Sequence, residues 1–516
     1  MDPEVTAEAG VLVVGAGPTG LALAGELALA GVRPTVLESR TAPATESRAL
    51  NLHPRTAELL DSRGLLEPLL EHEIVLGSPA HSFFGALPVP LDCAPWRTRY
   101  PHQIGVVQSR VEQRLRLRLA ELGGSVLSGH QLTGLEQDDD AVTAIVSTPD
   151  GQRRIRARYL VGCDGGRSTV RKALDLPFPG SDGTELFVAA DVVLRRPPQE
   201  WFDELDPQRR RFLRLLPGNT LAGVMPTEDG RRLMFSLRGL EEGVHRLSFS
   251  GAGLDVADRD TPVAEEEILG AIRTACGADP GLKEVRWASR FSNACRQVPE
   301  YRTGRVLLAG DAAHIVVPLG GQGLNLGIQD AFNLGWKLAA VVRGHAPDAL
   351  LETYHAERHP VAAALLREAR AQFALLDSGR GDADELAPLR EILTELLRLP
   401  DTNRHLAGVV SGLGVRYDLP GSGHELLGAR MPDVDVDGTR LFELLRAGRG
   451  VLLDFGGLSV DVSAWAGRVD LRRCAPPDGF GDLGAVLVRP DGHVCWVGGA
   501  DGPEKSLHHW FGPSAR

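Results

Sequence analysis

Three glycines near the start of the chain have the spacing of a phosphate-binding turn. They form Gly15-x-Gly17-x-x-Gly20, and Glu38 follows at the end of the next apolar run. In such a motif the first glycine permits a tight turn, the second lets the backbone approach a pyrophosphate, and the third lets helix and strand pack closely. Free N–H groups and the helix dipole then favour the anion. The pattern predicts a dinucleotide site in which Glu38 accepts hydrogen bonds from a ribose diol.

A second motif lies about 300 residues further on. It reads Gly310-Asp311-Ala312-Ala313-His314, followed by Pro318 and the glycine-rich stretch 320–325. Asp311 comes after an apolar strand and could bond the hydroxyl groups of a sugar-like chain. We expect the small residues after it to open a helix whose N-terminus faces a second anionic or electron-rich group. An acidic cap before a glycine turn would explain this segment alone, but its occurrence together with the first motif favours binding.

The third motif has two interpretations. It reads Cys163-Asp164-Gly165-Gly166-Arg167-Ser168-x-x-Arg171 at a predicted junction of strand and helix. Its charges and glycines could approach an anionic dinucleotide. They could equally form an Arg–Asp brace at the start of a helix, and the sequence leaves both open.

Hydrophobic patterning places these motifs on a predicted α/β scaffold. A strand at 11–14, a helix to about residue 30 and a strand at 35–37 form a βαβ unit. Helices are predicted at 110–122, from the second motif to about 342, and at 350–376, with a hinge at 378–385. Short separated strands between 180 and 295 indicate an antiparallel sheet. We therefore expect a discontinuous first domain (1–178 and 297–378), an inserted sheet domain (179–296) and a third unit (379–516).

Composition excludes several classes of protein. The 516 residues carry a formal charge of −12, which argues against a nucleic-acid-binding surface. The six cysteines form no CxxC pair, and no metal-ligand cluster is recognisable, so we expect buried thiols in a reducing cytoplasm and no metal. A basic leader and an 18-residue apolar stretch are both missing from the sequence, so neither export nor membrane spanning is expected.

The three motifs, in this order and spacing, resemble those of class A flavoprotein monooxygenases of the p-hydroxybenzoate hydroxylase type. The length and the tail resemble the subgroup that tailors aromatic polyketides in angucycline and anthracycline pathways. The resemblance implies an α/β fold with a Rossmann-like FAD-binding domain, an inserted antiparallel-sheet substrate domain and a C-terminal thioredoxin-like domain. Because the tail lacks a CxxC pair, packing or dimerisation is its favoured role.

The same resemblance assigns residues to the cofactor. The glycine motif would hold the FAD pyrophosphate, Glu38 the adenosine ribose, Asp311 the ribityl chain, and Pro318 with 320–325 the isoalloxazine ring. Arg48 is the one catalytic candidate, as a group that positions flavin or peroxide; the alternative is a surface arginine paired with Glu46. The full set of implied FAD contacts is Gly15, Gly17, Pro18, Thr19, Gly20, Glu38, Arg40, Arg48, Gln108 (just ahead of a helix starting near Arg110), Asp164, Asp311, Pro318, Gly321, Gly323, Leu324 and Asn325.

The implied activity is hydroxylation of a polycyclic aromatic polyketide through a flavin C4a-hydroperoxide. FAD would be non-covalent, O2 the co-substrate and NADPH a transient reductant, because no second GxGxxG fingerprint provides a nicotinamide domain. Baeyer–Villiger oxygen insertion into a polyketide ketone is the alternative, and a non-catalytic FAD scaffold is a further one. A homodimer is compatible with the resemblance. Some aromatic residues could line a substrate site or belong to ordinary core: Phe83, Phe84, Trp96, Phe187, Trp201 and Phe235.

Overall fold

The structure is a computed structural model of the chain. It describes residues 5–74, 82–85, 87–216, 220–227, 232–240, 243–251, 261–277, 281–317, 319–376, 386–421, 423–456, 458, 460–498 and 502–514.

Strands and helices alternate through most of the described chain. The strands are β1 (Val5–Val14), β2 (Pro34–Glu38), β3 (Asn51–Leu52), β4 (Ser82–Phe83), β5 (Pro90–Leu91), β6 (Ile104–Gly105), β7 (Val126–Ser128), β8 (Gln131–Gln137), β9 (Val142–Thr148), β10 (Gly151–Gly162), β11 (Gly180–Ser181), β12 (Leu186–Leu194), β13 (Leu213–Leu216), β14 (Thr220–Pro226), β15 (Arg232–Gly239), β16 (Val244–Ser250), β17 (Leu282–Ser292), β18 (Cys295–Gln297), β19 (Arg302–Thr303), β20 (Val306–Leu308), β21 (His314–Ile315), β22 (Asp435–Val436), β23 (Thr439–Arg440), β24 (Gly450–Asp454), β25 (Val469–Arg473), β26 (Ala485–Val488) and β27 (Val494–Val497). The helices are α1 (Pro18–Leu29), α2 (Pro54–Asp61), α3 (Glu67–Leu70), α4 (Gln108–Glu121), α5 (Thr169–Ala173), α6 (Pro207–Arg210), α7 (Glu265–Cys276), α8 (Gln322–Val342), α9 (Glu352–Leu376), α10 (Ala387–Leu397), α11 (Pro400–Ser411), α12 (Leu441–Leu445) and α13 (Glu504–Phe511).

The largest sheet carries the three motifs at one edge. Its order is β19-β20-β10-β1-β2-β7, with β9 and β8 added in antiparallel fashion beside β10. The strands β20, β10, β1, β2 and β7 run parallel. Val11, Leu12 and Val13 are fully buried, as expected for a parallel strand covered on both faces. Because the carboxyl ends of parallel strands meet at one edge, the segments after β1, β10 and β20 come together there.

A second sheet is entirely antiparallel, with the order β13-β14-β15-β16-β12-β17. Leu233, Phe235 and Leu237 of β15 alternate toward one face, where they pack with Ile268 and Ile272 of α7. The opposite face turns toward the first sheet and its helices. The chain enters this second sheet after β10 and returns to the first sheet at β19 and β20.

A third sheet, of order β25-β24-β26-β27, is fixed to α8 and α9 by buried charges. The Arg489 guanidinium donates to both Glu357 oxygens, at 2.7 and 2.8 Å, and to Asp491 at 2.6 Å. Lys337 donates to Glu357 at 2.9 Å. Burial alone would raise the pKa of Glu357, but Arg489 and Lys337 lower it to about 2. The C-terminal unit is thus joined to the helix that begins at the second motif.

The predicted α/β class and the βαβ unit are confirmed, while one helix boundary differs from expectation. The helix expected near Arg110 begins at Gln108. The helix predicted after the glycine-rich loop begins at Gln322, and a 3-10 turn (Gly310–Ala312) and β21 separate it from β20. The predicted hinge at 378–385 lies outside the described residues, and the domain boundaries stay predictions.

Two further observations concern the cysteines and the helices. All six cysteines are free thiols, and only Cys474 among them is not buried. Within the described ranges, none of the helices is both long enough and apolar enough to cross a membrane.

Candidate active site

The turn between β1 and α1 is shaped by close backbone contacts. Gly15 has φ = 102°, and a Cβ there would overlap the Cys163 carbonyl; a Cβ on Gly20 would overlap the Gly15 carbonyl. Gly17 differs, since a Cβ there would meet no described atom within 4 Å. Gly17 is also the N-cap of α1, and no side chain in the described part of the chain caps it. Gly15 and Gly20 are therefore required by packing, whereas Gly17 leaves open space beside the free N–H groups of α1.

Glu38 lies against this turn at the end of β2. Its Oε2 accepts a hydrogen bond from the Ala16 N–H at 2.9 Å, and its Oε1 accepts one from the Arg40 N–H at 2.9 Å. The Arg40 side chain pairs with Glu46 at 3.0 Å. Glu46 is therefore the partner of Arg40, and the alternative in which it pairs with Arg48 is not what the structure shows.

Asp311 meets the start of α8. A Cβ on Gly323 would lie 3.5 Å from the Asp311 Oδ1. The Asp311 side chain is exposed to the cleft, but the protein around it desolvates the carboxyl group and raises its pKa. The nearby charges of His314 and Arg48 act in the opposite direction. Such a carboxylate can accept hydrogen bonds from hydroxyl groups in the cleft.

The turn before α8 is held by residues that the sequence analysis did not identify. Gly321 (φ = 73°) is the N-cap of α8, and a Cβ there would overlap the Asn51 side chain. The Asn51 amide donates to the Gly320 carbonyl at 3.1 Å, and His53 Nε2 lies 2.7 Å from the same oxygen. Asn325 donates to the Gly321 carbonyl at 2.8 Å and accepts from the His53 N–H at 2.7 Å. The only sequence signal for Asn51 and His53 was their position just before a proline-started helix.

The predicted ring contacts Gly321, Gly323, Leu324 and Asn325 are therefore gathered at one helix end. Pro318 lies outside the described residues. Thr19 supports this end from α1, since a Cβ on Gly310 would lie 2.6 Å from its Oγ1 and one on Gly327 would overlap it. Pro18 occupies the first turn of α1, where its missing N–H costs no hydrogen bond.

Arg48 lies on an exposed segment that is held from two sides. Gln108 accepts a hydrogen bond from the Ala49 N–H at 3.1 Å. Arg246 of β16 donates to the Arg48 carbonyl at 3.3 Å and to the Ser47 carbonyl. The Arg48 charge opposes the desolvation that raises the pKa of Asp311, while Glu46 pairs with Arg40. Nothing in the sequence singled out Arg246.

Asp164 acts chiefly as a helix cap. Its Oδ2 accepts hydrogen bonds from the Thr169 and Val170 N–H groups, at 2.6 and 3.1 Å. Arg171 donates to the carbonyls of Gly166 and Ala312, at 2.7 and 2.9 Å, and so ties the third motif to the second. In the structure Asp164 caps α5 and Arg171 bonds backbone carbonyls, and a contact of this motif with a dinucleotide stays a prediction. Asp164 Oδ1 remains buried with no partner in the described residues, which is unusual for a buried carboxylate oxygen.

His314 has a positional role rather than an exposed acid–base role. Its ring is fully buried, and its Nε2 lies 2.7 Å from Asp330 Oδ2. Asp330 also accepts from the Gly310 N–H at 3.2 Å and from Arg358 at 2.8 Å. Burial alone would raise the pKa of Asp330, but Arg358 and His314 lower it below its ordinary value. This network holds the turn that presents Asp311.

The aromatic residues divide between core and cleft. Phe84, Trp201 and Phe235 are buried in apolar clusters, whereas Phe83 is exposed and Trp96 packs partly against α11. Phe187 of β12 stacks on Phe291 of β17 with ring centroids 5.4 Å apart and meets Phe373 of α9 edge-on at 6.0 Å. Phe373 packs with Val317 and Leu319, beside the turn before α8. An apolar aromatic wall thus faces the second motif.

These features lie along one edge of the first sheet and together suit a long, partly anionic ligand. Two helix N-termini without side-chain caps lie there, at Gly17 and Gly321, and the Asp311 carboxylate lies beside the second. Open space at Gly17 and the unpartnered Asp164 oxygen belong to the same edge of the sheet. The donor set suits a pyrophosphate, ribose hydroxyls and a ring with an electron-rich edge, which are the parts of a flavin dinucleotide.

Comparisons with known proteins agree with this donor set. The family described as FAD binding domain matches residues 8–369, and the family described as aromatic-ring hydroxylase, C-terminal, matches residues 424–514. A 12-dehydrotetracycline 5-monooxygenase/anhydrotetracycline 6-monooxygenase of Streptomyces rimosus is 45% identical over 98% of this chain and 99% of its own. A rifampicin monooxygenase of Streptomyces venezuelae is 43% identical over 97% of this chain and 98% of its own.

A solved structure shows the same architecture. The anhydrotetracycline hydroxylase of Streptomyces rimosus superposes with a TM-score of 0.86 at 43% identity, covering 98% of this chain and 100% of that chain. The expected resemblance and the expected fold class are both confirmed. The chain therefore belongs to the FAD-dependent monooxygenases of the aromatic-ring hydroxylase family.

Proposed function

We propose that the protein uses FAD, O2 and NAD(P)H to hydroxylate a polycyclic aromatic polyketide. The observation that carries the proposal is the pair of helix N-termini, at Gly17 and Gly321, that lack a side-chain cap and lie on the same edge of the first sheet as Asp311. The antiparallel sheet offers the stacked rings of Phe187 and Phe291. A flavin at the helix N-termini would meet a flat aromatic substrate at these rings. The names of the tetracycline-acting and rifampicin-acting relatives support the substrate class.

Each part of the flavin has a matching group in this proposal. The N–H groups at the start of α1 hold the pyrophosphate, Glu38 holds the adenosine ribose, and Asp311 holds the ribityl hydroxyls. The N–H groups at the start of α8 would bind the electron-rich edge of the ring, and Gln108 holds the backbone of the Arg48 segment. The Arg40 side chain pairs with Glu46, so we assign Arg40 to shaping the protein surface around the adenosine ribose rather than to a direct bond with FAD. When bound and reduced, the flavin supplies the electrons and the site of O2 activation.

The chain's own residues have three tasks around that cofactor. Arg48, whose charge acts on Asp311, would meet the flavin or the incoming nicotinamide dinucleotide. The aromatic wall of Phe187, Phe291 and Phe373 orients a planar substrate and excludes water. The network of His314, Asp330 and Arg358 keeps the Asp311 turn in place. Excluding water matters because activated oxygen is otherwise lost as H2O2.

The test is a coupled assay on the purified, FAD-loaded protein with a panel of polycyclic phenols. We expect an arene from the panel to accelerate NADPH oxidation, and one oxygen atom of ¹⁸O2 to appear in the product as a new hydroxyl group. Asp311→Asn, prepared in parallel, should lose flavin and with it the oxygenation. The proposal is wrong if no arene accelerates NADPH oxidation. It is equally wrong if the label enters a ring as an ester oxygen.

A further inference from the structure

A buried histidine lies directly behind the turn that begins α8. His53 is 1% exposed, and its ring lies between two backbone carbonyls. Its Nε2 is 2.7 Å from the Gly320 oxygen, and its Nδ1 is 2.8 Å from the Val410 oxygen of α11. A carbonyl oxygen can only accept a hydrogen bond, and a neutral imidazole carries a single N–H. One of the two contacts is therefore unsatisfied unless the ring binds a second proton.

The other contacts of His53 do not resolve this mismatch. Gln103 Nε2 lies 3.4 Å from His53 Nε2, but it donates to the Ser82 hydroxyl at 2.7 Å. Gln103 Oε1 accepts from the Asn51 amide at 2.8 Å, so the orientation of the Gln103 amide is set by these two partners. The backbone N–H of His53 donates to Asn325 and takes no part. The two carbonyls therefore remain the close partners of the ring nitrogens.

The ring also lacks a negative partner among the described residues. The groups that contact it, from the segment before β6, from the turn before α8 and from α11, are all uncharged. Arg55, two positions further on, pairs with Glu58 at 3.0 Å and donates to the Asp491 carbonyl. Burial lowers the pKa of His53, and the two carbonyls act in the opposite direction. An imidazolium here has both of its hydrogen bonds, but a buried charge also needs an opposite charge nearby.

The Gly320 carbonyl connects His53 with the opposite side of the turn. It belongs to the peptide that joins Gly320 to Gly321, and the N–H of a planar trans peptide points away from its carbonyl. Asn51 also donates to this carbonyl, at 3.1 Å, so two donors hold the peptide from behind. Gly321 is the N-cap of α8 and one of the predicted ring contacts. Because linked hydrogen bonds polarise one another, a second proton on His53 makes the Gly321 N–H a stronger donor.

We propose that His53 holds one proton while the flavin is oxidised and binds a second while the reduced ring carries a negative charge. The inference rests on the proposed function, which puts the ring at the start of α8. NADPH transfers a hydride, which adds two electrons and one proton to the ring and leaves it with one extra negative charge. The second proton comes from water and is held on the His53 imidazole. The charge on the ring is then the partner that the imidazolium needs, and His53 is a positioning residue that acts through the Gly320–Gly321 peptide.

The first test is the reduction potential of the bound flavin against pH, measured by spectroelectrochemistry without an arene. Each proton taken up in a two-electron reduction changes the potential by about 30 mV per pH unit. Where the reduced flavin has the absorption spectrum of its anion, the wild type should change by about 59 mV per pH unit up to the pKa of His53 in the reduced protein, since ring and imidazole each take a proton. His53→Gln keeps a donor for the Gly320 carbonyl but cannot bind the proton, so it should change by about 30 mV. His345→Gln removes a histidine beyond the far end of α8 and should match the wild type.

The second test observes the protons directly on the FAD-loaded wild type by nuclear magnetic resonance. Histidine labelled with ¹⁵N distinguishes an imidazole with one protonated nitrogen from an imidazole with two. Reduction should raise by one the number of doubly protonated rings among the 15 histidines. The changing signal should be missing from His53→Gln or, if that variant does not hold FAD, from His53→Asn.

Several outcomes would overturn the role of His53. One is a wild-type potential that changes by only about 30 mV per pH unit wherever the reduced flavin is anionic. Another is a steeper dependence that persists in His53→Gln, as it would if Asp311 or His314 took up the proton. An unchanged number of doubly protonated rings on reduction of the wild type refutes the proposal whatever the variants do.

The two proposals fail separately. Normal oxygenation of an arene, with a potential that follows a single proton, would overturn the role of His53 alone. Absence of arene-stimulated NADPH oxidation, with a two-proton dependence that His53→Gln removes, would overturn the proposed function and leave the role of His53 in place.

Discussion

Replacing Asp311 with Asn should separate cofactor binding from protein stability. The substitution keeps the size of the side chain and removes its charge. In the structure this carboxylate is exposed to the cleft and lies beside the N-terminal turn of α8. A lost hydrogen bond to a charged group costs about 1.5–3 kcal/mol, so the Kd for FAD should rise about 10- to 100-fold.

The stability of the apoprotein should respond in the opposite sense. Desolvation raises the pKa of Asp311 in the folded chain, so ionisation of this group opposes folding. The contribution of the neutral carboxyl is present below the unfolded pKa and is lost as pH rises through the folded pKa. At neutral pH the charged form therefore destabilises the fold, and Asp311→Asn should leave the unfolding temperature of the apoprotein unchanged or higher.

Two measurements check this pair of expectations. Titration of the apoprotein with FAD, followed by flavin fluorescence, gives the Kd, and circular dichroism gives the unfolding temperature at several pH values. Asp203→Asn is the matched control, because Asp203 is an exposed carboxylate of the sheet unit, 92% accessible in its side chain. That control should change neither quantity. Wild-type FAD affinity in Asp311→Asn, or an apoprotein that unfolds several degrees earlier, would refute the reasoning.

Three further predictions concern Arg48, the flavin linkage and the C-terminal unit. Arg48→Ala should leave the fold and most FAD binding intact, because Gln108 and Arg246 hold this segment through its backbone. The substitution should nevertheless slow NADPH-driven flavin reduction or divert the electrons to H2O2. An unchanged reduction rate in stopped-flow measurements, together with unchanged coupling, would show that Arg48 is only a surface residue. The flavin should be released on acid precipitation, since no His or Cys stands in a recognisable flavin-linkage motif, and flavin retained in the pellet would contradict this. Arg489→Met should destabilise the protein by about 3–5 kcal/mol in urea unfolding, because it removes the guanidinium that pairs with both Glu357 and Asp491 and leaves these buried carboxylates with Lys337 and the Asn333 amide. The pKa of Glu357 is about 2 in the folded chain, so the ionised carboxylate stabilises the protein above its ordinary pKa, and this contribution is lost as pH falls toward 2. Arg489→Met should weaken that loss of stability in acid. An identical dependence of stability on pH in the variant would show that Arg489 does not lower the pKa of Glu357.

The sequence could predict the parts of the site that depend on local spacing. The glycine turn, α1 and Glu38 follow from one continuous βαβ unit, whose backbone geometry is set by neighbouring residues. Asp311 follows from its position just after a buried strand. The glycine-rich loop predicted before α8 likewise forms, with Gly320 and Gly321 in a left-handed conformation.

Contacts between distant segments were decided by the tertiary structure alone. Arg246 reaches the Ser47 carbonyl from 199 positions away, and His53 meets Asn325 across 272. Neither Arg246 nor His53 has a distinctive local pattern, because the role of such a buried side chain is set by the group opposite it and not by its neighbours in sequence. The pairing of β15 with β16 likewise places two arginines together and gives only one of them a carboxylate. The spacing of the glycine and acidic residues along the chain therefore determined where the cofactor site forms. Strand order determined which charged side chains face that site, because only the folded sheet brings them within hydrogen-bonding distance.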